Sequence, residues 1–238
     1  MAIPTVEATQ FFNVTSNATT TGAITLALGT ISEGDHIIVF CALDGTAGNP
    51  TGSGNNSGAG TTIQSTDQGT VEAEAIIFRQ GATVDTTITI NWTGNEQGRF
   101  LLVRIAGAKT DGTVASVVDV IGASFDFGAG TTATPVSSAS TVVNTLFLSF
   151  VAVDNARVDA ADTVTGTGWT QVGTSGSSGG STGAGLIVAE LDQASVGTPA
   201  NAVFGTWVSD GRAAYTFNIR EFTAPAAGFV HSYGTVFG

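Results

Sequence analysis

Gly34-Asp35-His36-Ile37-Ile38-Val39-Phe40-Cys41-Ala42-Leu43-Asp44-Gly45 is a short, almost unbroken apolar run between a Gly-Asp turn and an Asp-Gly turn. An apolar run of this length, with turn residues at both ends, predicts a strand buried on both faces. The run has an echo in Asn144-Thr145-Leu146-Phe147-Leu148-Ser149-Phe150-Val151-Ala152-Val153-Asp154-Asn155. Both pass from a polar turn through apolar residues to Ala-x-Asp and a small turn residue. The echo predicts one β-fold used twice.

Further blocks recur in the same order, offset by about 110 residues. Gly58 to Gln64 lines up with Gly166 to Val172, and Glu74 to Arg79 with Gly185 to Glu190. Trp92 and Gly98-Arg99 match Trp207 and Gly211-Arg212, each pair leading into a strand that ends near Ile105 or Arg220. Tryptophan is rare in this chain, so its recurrence argues against a chance likeness of two Val/Thr/Gly-rich halves. Other strands are expected at Ala23–Leu28, with Ile24, Leu26 and Leu28 on one face, at Thr86–Trp92, and across Val117–Phe127. No window carries a 3.6-residue apolar period with caps, so little long helix is expected.

The reading is an all-β chain of two tandem antiparallel β-sandwich domains, jelly-roll or immunoglobulin-like, related by internal duplication. The domains are 1–110 and 111–222, with a boundary near Lys109–Val114, and residues 223–238 form a C-terminal extended arm. Residues 45–60 are Gly/Asn/Ser-rich and read as a long loop, too glycine-rich for a strand. That loop is either mobile in solvent or ordered against a neighbouring subunit.

Composition excludes several roles. Of 238 residues 42% are hydrophobic, enough for a core, and only 11% are charged, against about 25% in ordinary soluble domains. The net charge is −12, with one lysine and six arginines. Each phosphate contact wants a cation, so neither nucleic acid nor an anionic membrane is an expected partner. No apolar run approaches the roughly 18 residues of a membrane helix. Met1 to Thr5 lacks a basic and apolar leader, so no signal peptide is expected. The single cysteine, Cys41, reads as a small buried hydrophobe.

The search for chemistry yields little. His36 and His231 lie far apart in sequence, and no Cys-x-x-Cys or His-x-x-x-His occurs, so no zinc and no cofactor is expected. Gly176-Ser177-Ser178-Gly179-Gly180 fits a nucleophile elbow formally, but sits in a Gly/Ser loop without the strand, helix and histidine that motif needs. Asp154, Asp159 and Asp162 offer hard oxygens after a strand, a weak calcium candidate. The competing reading is a solvated acidic loop in which Arg157 pairs internally. Glu72 and Glu74 stand two apart on one strand and read as a solvent face at a sheet edge, not as a glycosidase pair across a cleft. Trp92, Trp169 and Trp207 read as packing residues, with a sugar-stacking platform as the alternative. The expected partner-binding residues are Phe229, Tyr233 and Phe237 of the arm, and Asn49 and Asn55 of the glycine-rich loop.

With the repeat laid out, each half resembles the small β-sandwich modules of tailed-bacteriophage structural proteins. Gly34 to Gly45, Gly168 to Thr170, Trp92 and Trp207 carry the resemblance. The first half departs with Thr61 where the second has Trp169, and the second replaces Gly34-Asp35 with Asn144-Thr145. The resemblance implies a virion component with no catalytic residues, made in the host cytoplasm. Its partners would be the major capsid protein or neighbouring copies in a homo-oligomer. The expected role is a capsid decoration or cement protein. The alternatives are a tail or fibre protein that touches the host, and a carbohydrate-binding module.

Overall fold

The computed structural model describes residues 3–14, 20–45, 48–67, 69–94, 97–108, 113–122, 126–154, 163–175 and 183–221. The first half contributes β1 (Thr5–Val14), β2 (Thr21–Thr25), β3 (His36–Asp44), β4 (Thr51–Gly54), β5 (Gly58–Ala59), β6 (Thr61–Asp67), β7 (Val71–Arg79), β8 (Thr87–Asn91) and β9 (Gly98–Ala106). A single helical turn, α1 (Val114–Val117), leads into the second half. There follow β10 (Val118–Ile121), β11 (Asp126–Ala133), β12 (Thr145–Val153), β13 (Thr163–Thr165), β14 (Thr170–Ser175), β15 (Gly185–Gln193) and β16 (Val203–Arg220).

The two apolar runs are the middle strands of two five-strand ladders with the same order. One ladder runs β1-β9-β3-β7-β6 and the other β10-β16-β12-β15-β14. The third sheet, β2-β8-β4-β5, has its counterpart in β11 and β13 flanking the first half of β16. All of the pairings are antiparallel. The chain is therefore all-β and sandwich-like, and the internal repeat is visible in its topology.

Why β3 and β12 are apolar throughout follows from their layers. On β3, Ile38, Phe40 and Ala42 pack in one core with Leu146, Leu148, Phe150 and Ala152 of β12. The alternate residues Ile37, Val39, Cys41 and Leu43 pack with Ile24, Ile88 and Ile90 of the small sheet. In the second half Phe147, Val151 and Val153 face Ala133, Trp169 and Phe204. Period-2 alternation thus sends each central strand into two different cores. Each fully buried side chain of this kind contributes roughly 1.5–3 kcal/mol. The sandwiches are stacked through a shared middle core, not merely strung along the chain.

Aromatic rings fill that middle core. Phe40 meets Phe150 edge-on at 5.0 Å, and Phe150 meets Tyr215 at 4.1 Å. Phe40 stacks on Phe217 at 6.0 Å. The Tyr215 hydroxyl crosses the seam and donates to the Gln64 carbonyl at 3.1 Å, so the one polar tip in this aromatic group is satisfied.

Several expected boundaries move. The Ala23–Leu28 strand stops at Thr25, although Ile24 and Leu28 are buried as the alternation requires. The Val117–Phe127 stretch divides into β10 and β11. Leu43 stands opposite Gly98, whereas its counterpart Val153 stands opposite Arg212. The two Gly-Arg pairs are therefore one residue out of step, which puts their arginines on opposite sheet faces. Of the boundary expected near Lys109–Val114, residues 109–112 lie outside the described residues and Val114 opens α1.

Because the middle core belongs to both halves, Phe150→Ala is expected to destabilise the chain by about 3–5 kcal/mol. Denaturant unfolding followed by tryptophan fluorescence should remain a single transition shifted as a whole. Two separate transitions, with only one moved, would contradict a shared core.

Candidate functional site

The least ordinary chemistry in the fold is on β7. The sequence pattern places Glu72 and Glu74 on a solvent face at a sheet edge, and the structure corrects this. β7 lies between β3 and β6, and both glutamates are fully buried. They do share a face, because Val71, Ala73, Ala75 and Ile77 point the other way into the middle core. Leu43 stands opposite Glu72 and Cys41 opposite Glu74 on β3, while Asp67 and Ser65 oppose them on β6.

Their environment favours the protonated form of both acids. Burial pushes the Glu72 carboxyl up to about 8, and the charges of Glu74 and Asp67 add to the effect. Burial likewise pushes Glu74 up to about 7, against the pull of the Thr62 and Ser65 hydroxyls. Thr62 Oγ1 donates to Glu74 Oε1 at 2.6 Å. Among the described residues neither oxygen of Glu72 has a hydrogen-bond partner, and no ion pair reaches either glutamate. An unpaired carboxyl in such a place favours its protonated form. Burial, then the two glutamates, also raises the Cys41 thiol well above its usual range, consistent with an inert filler. Closed to solvent, the pair can hold and release protons but presents no surface to a substrate.

A second polar cluster fastens the glycine-rich stretch. Residues 45–60 were expected as a loop, yet 51–54 and 58–59 form β4 and β5, with β4 paired to β8. The glycines are what permit this. A Cβ on Gly52 would stand 2.5 Å from the Phe78 ring, and one on Gly60 would stand 2.6 Å from it. Only a bare backbone lets that ring lie against these strands. Buried Asp85 accepts from the Asn56 and Ser57 amides at 2.7 and 2.9 Å, from the Ser57 hydroxyl at 2.6 Å and from Gln80 at 2.9 Å. Burial works to raise its carboxyl, but the bonds from Ser57, Gln80 and Asn56 prevail and leave it below its ordinary value. Neither Asp85 nor Gln80 stands in a motif, so sequence reading passes over both. Their role exists only because a turn and a distant hairpin meet.

The sequence-derived candidates are scattered. Asn55 Oδ1 accepts from the Thr86 and Thr87 amides at 2.8 and 2.9 Å, so it serves the hairpin's own structure. Asn49 is exposed. Phe229, Tyr233 and Phe237 lie outside the described residues, as do Asp159, Asp162, His231 and the 176–180 motif. Asp154 is buried at the end of β12, where its amide donates to the Gly211 carbonyl at 2.8 Å. Among the described residues no group of three metal-binding side chains comes together. His36 is buried at the start of β3. Burial, then Arg79, pushes its imidazole down to about 4 against Asp35 and the Gly34 backbone, so it is neutral at pH 7. Trp92 packs on Phe100 at 5.6 Å, and Trp169 Nε1 donates to the Ala200 carbonyl at 2.7 Å. Both rings are buried.

Comparison with known proteins returns no match: no family model, no curated protein and no solved structure aligns with the chain.

Removing the Asp85 carboxylate leaves two amides unpaired, so Asp85→Ala is expected to cost roughly 1–3 kcal/mol and to speed amide exchange at Asn56 and Ser57. The folded carboxyl sits below its unfolded value of about 3.9. Its contribution is therefore present above that pH and lost as pH falls through the folded value. Hydrogen exchange at these two amides, against pH, checks both points. Unchanged exchange in the variant would remove Asp85 as the fastening.

Proposed function

We propose that the chain is a structural protein of a tailed-bacteriophage virion, a decoration or cement protein that stabilises a shell through protein–protein contacts. The observation that carries this reading is the charge-free stretch of sequence that follows the last described strand. Gly107 packs beside Pro4, and Ala108 bridges Glu221, so the start of β1 and the end of β16 lie at one end of the stacked sheets. From Glu221 the remaining residues, including Phe229, Tyr233 and Phe237, continue without a single charged side chain. An uncharged, aromatic-bearing segment following the last strand of a β-slab is suited to seating on a neighbouring subunit. A net charge of −12 also favours a basic partner surface over another acidic one.

Tail or fibre attachment is the second location within the virion, and the same arm would serve there. The carbohydrate-binding reading needs an exposed aromatic platform, and Trp92 and Trp169 are both buried.

Deletion of 223–238 is expected to lower occupancy of the chain on purified particles, read by gel densitometry, and to lower the temperature at which particles release their genome. Full occupancy together with unchanged heat resistance would count against the arm as the contact and against this reading.

A further inference from the structure

Among the described residues β6 is an edge strand whose only ladder partner is β7. A bulge between Thr62 and Gln64 already interrupts its pairing. Two side-chain bonds hold it down, Thr62 to Glu74 and Tyr215 to the Gln64 carbonyl. Its far end, Ser65–Asp67, lies directly across from Glu74 and Glu72. Asp67 is thus a third carboxyl beside a buried pair.

The repeat supplies an internal control once its register is corrected: the sequence blocks set Glu74 against Gly185, whereas the ladders set it against Ile187, two residues further on. Cys41 corresponds to Val151 in the echo, and these face Glu74 and Ile187. Leu43 corresponds to Val153, and these face Glu72 and Gly185. The second module therefore builds the same strand with an aliphatic side chain and a glycine where the first has two carboxyls. The fold does not require acids at these positions.

We propose that Glu72 and Glu74 form a proton-operated clasp on edge strand β6, which holds it on the sheet while both carboxyls are protonated and releases it when they ionise. Ionised, Glu72 has no described donor, no described cation pairs with either group, and Glu72 and Glu74 become like charges two apart on β7 with the Asp67 carboxyl across from Glu72. The other titratable groups near the pair are Cys41 on β3 and Tyr215 on β16, both held neutral by burial and then by the glutamates. Neither supplies a compensating charge. Glu72 is the principal trigger, because the Thr62 bond gives ionised Glu74 some support.

The direction follows from linkage. Both folded carboxyls sit above their unfolded values, so the closed state binds more protons than the open one. Closure is therefore fully supported below the unfolded carboxyl value of about 4.3 and weakens as pH rises from there to about 7 for Glu74 and about 8 for Glu72. Conversely His36, whose imidazole is pushed down, must take up a proton as pH falls, which weakens the whole fold on the acid side. A local measurement separates the two effects.

Native-state hydrogen exchange on the full chain, corrected for intrinsic rates, gives that measurement. Between pH 5 and 7 the opening constant of β6 amides 64–67 is expected to rise by up to about tenfold per pH unit for each carboxyl that ionises. The 173–175 segment of β14, which pairs with Val188, Ile187 and Leu186 and lies beyond the half-buried Glu190 opposite Thr170, should show a smaller rise. The double variant E72Q/E74Q should flatten the β6 response. E74I, which copies Ile187, should reduce it. Equal pH dependence in β6 and β14, or an undiminished β6 response in the variants, overturns the clasp. If the double variant fails to fold, the wild-type comparison of the two edges still decides.

Discussion

Two β-sheets press face to face across Phe40, Phe150, Tyr215 and Phe217, and everything else in the molecule depends on that contact. Each sheet has a second apolar face that needs its own cover, given by the small sheet on one side and by β11, β13 and the first half of β16 on the other. The layering explains why so uncharged a chain can fold. A sheet buried on both faces has few positions where a charge is tolerable.

The two glutamates of β7 are the exception. They lie where a hydrophobic side chain would serve better, as Ile187 does at the equivalent place. Their cost is kept down by protonation instead of by an ion pair, since an isolated buried carboxylate is far more expensive than a neutral acid. Two other acids are satisfied directly. Asp119 takes bonds from Thr141 and Arg220, and Asp85 from the hairpin it holds. The contrast between paired and unpaired acids marks out the β7 pair.

Much of the architecture is legible in the residues. The apolar runs at His36–Asp44 and Thr145–Val153 are the central strands, and the order of the blocks around them matches the order of the ladders. Illegible were features that depend on what lies above a strand. A Glu-x-Glu on a strand looks solvent-facing until a neighbour on each side and a layer on top are known. The glycines at 52 and 60 look like loop residues until the Phe78 ring is seen against them. The Gly-Arg repeat looks aligned until the ladders show it one residue adrift.

The class of fold and its duplication can be read from the residues alone, because period-2 alternation and turn residues are local and survive in one dimension. Only the tertiary structure decided that the two modules share a core, that β7 is interior, and that its carboxyls are sealed from water. Burial is a property of what packs across a face from residues far away in the chain. The opening run carries both lessons. Its apolar character announces a strand covered on two sides, while the identity of those covers, one of them its own echo, is settled only by folding.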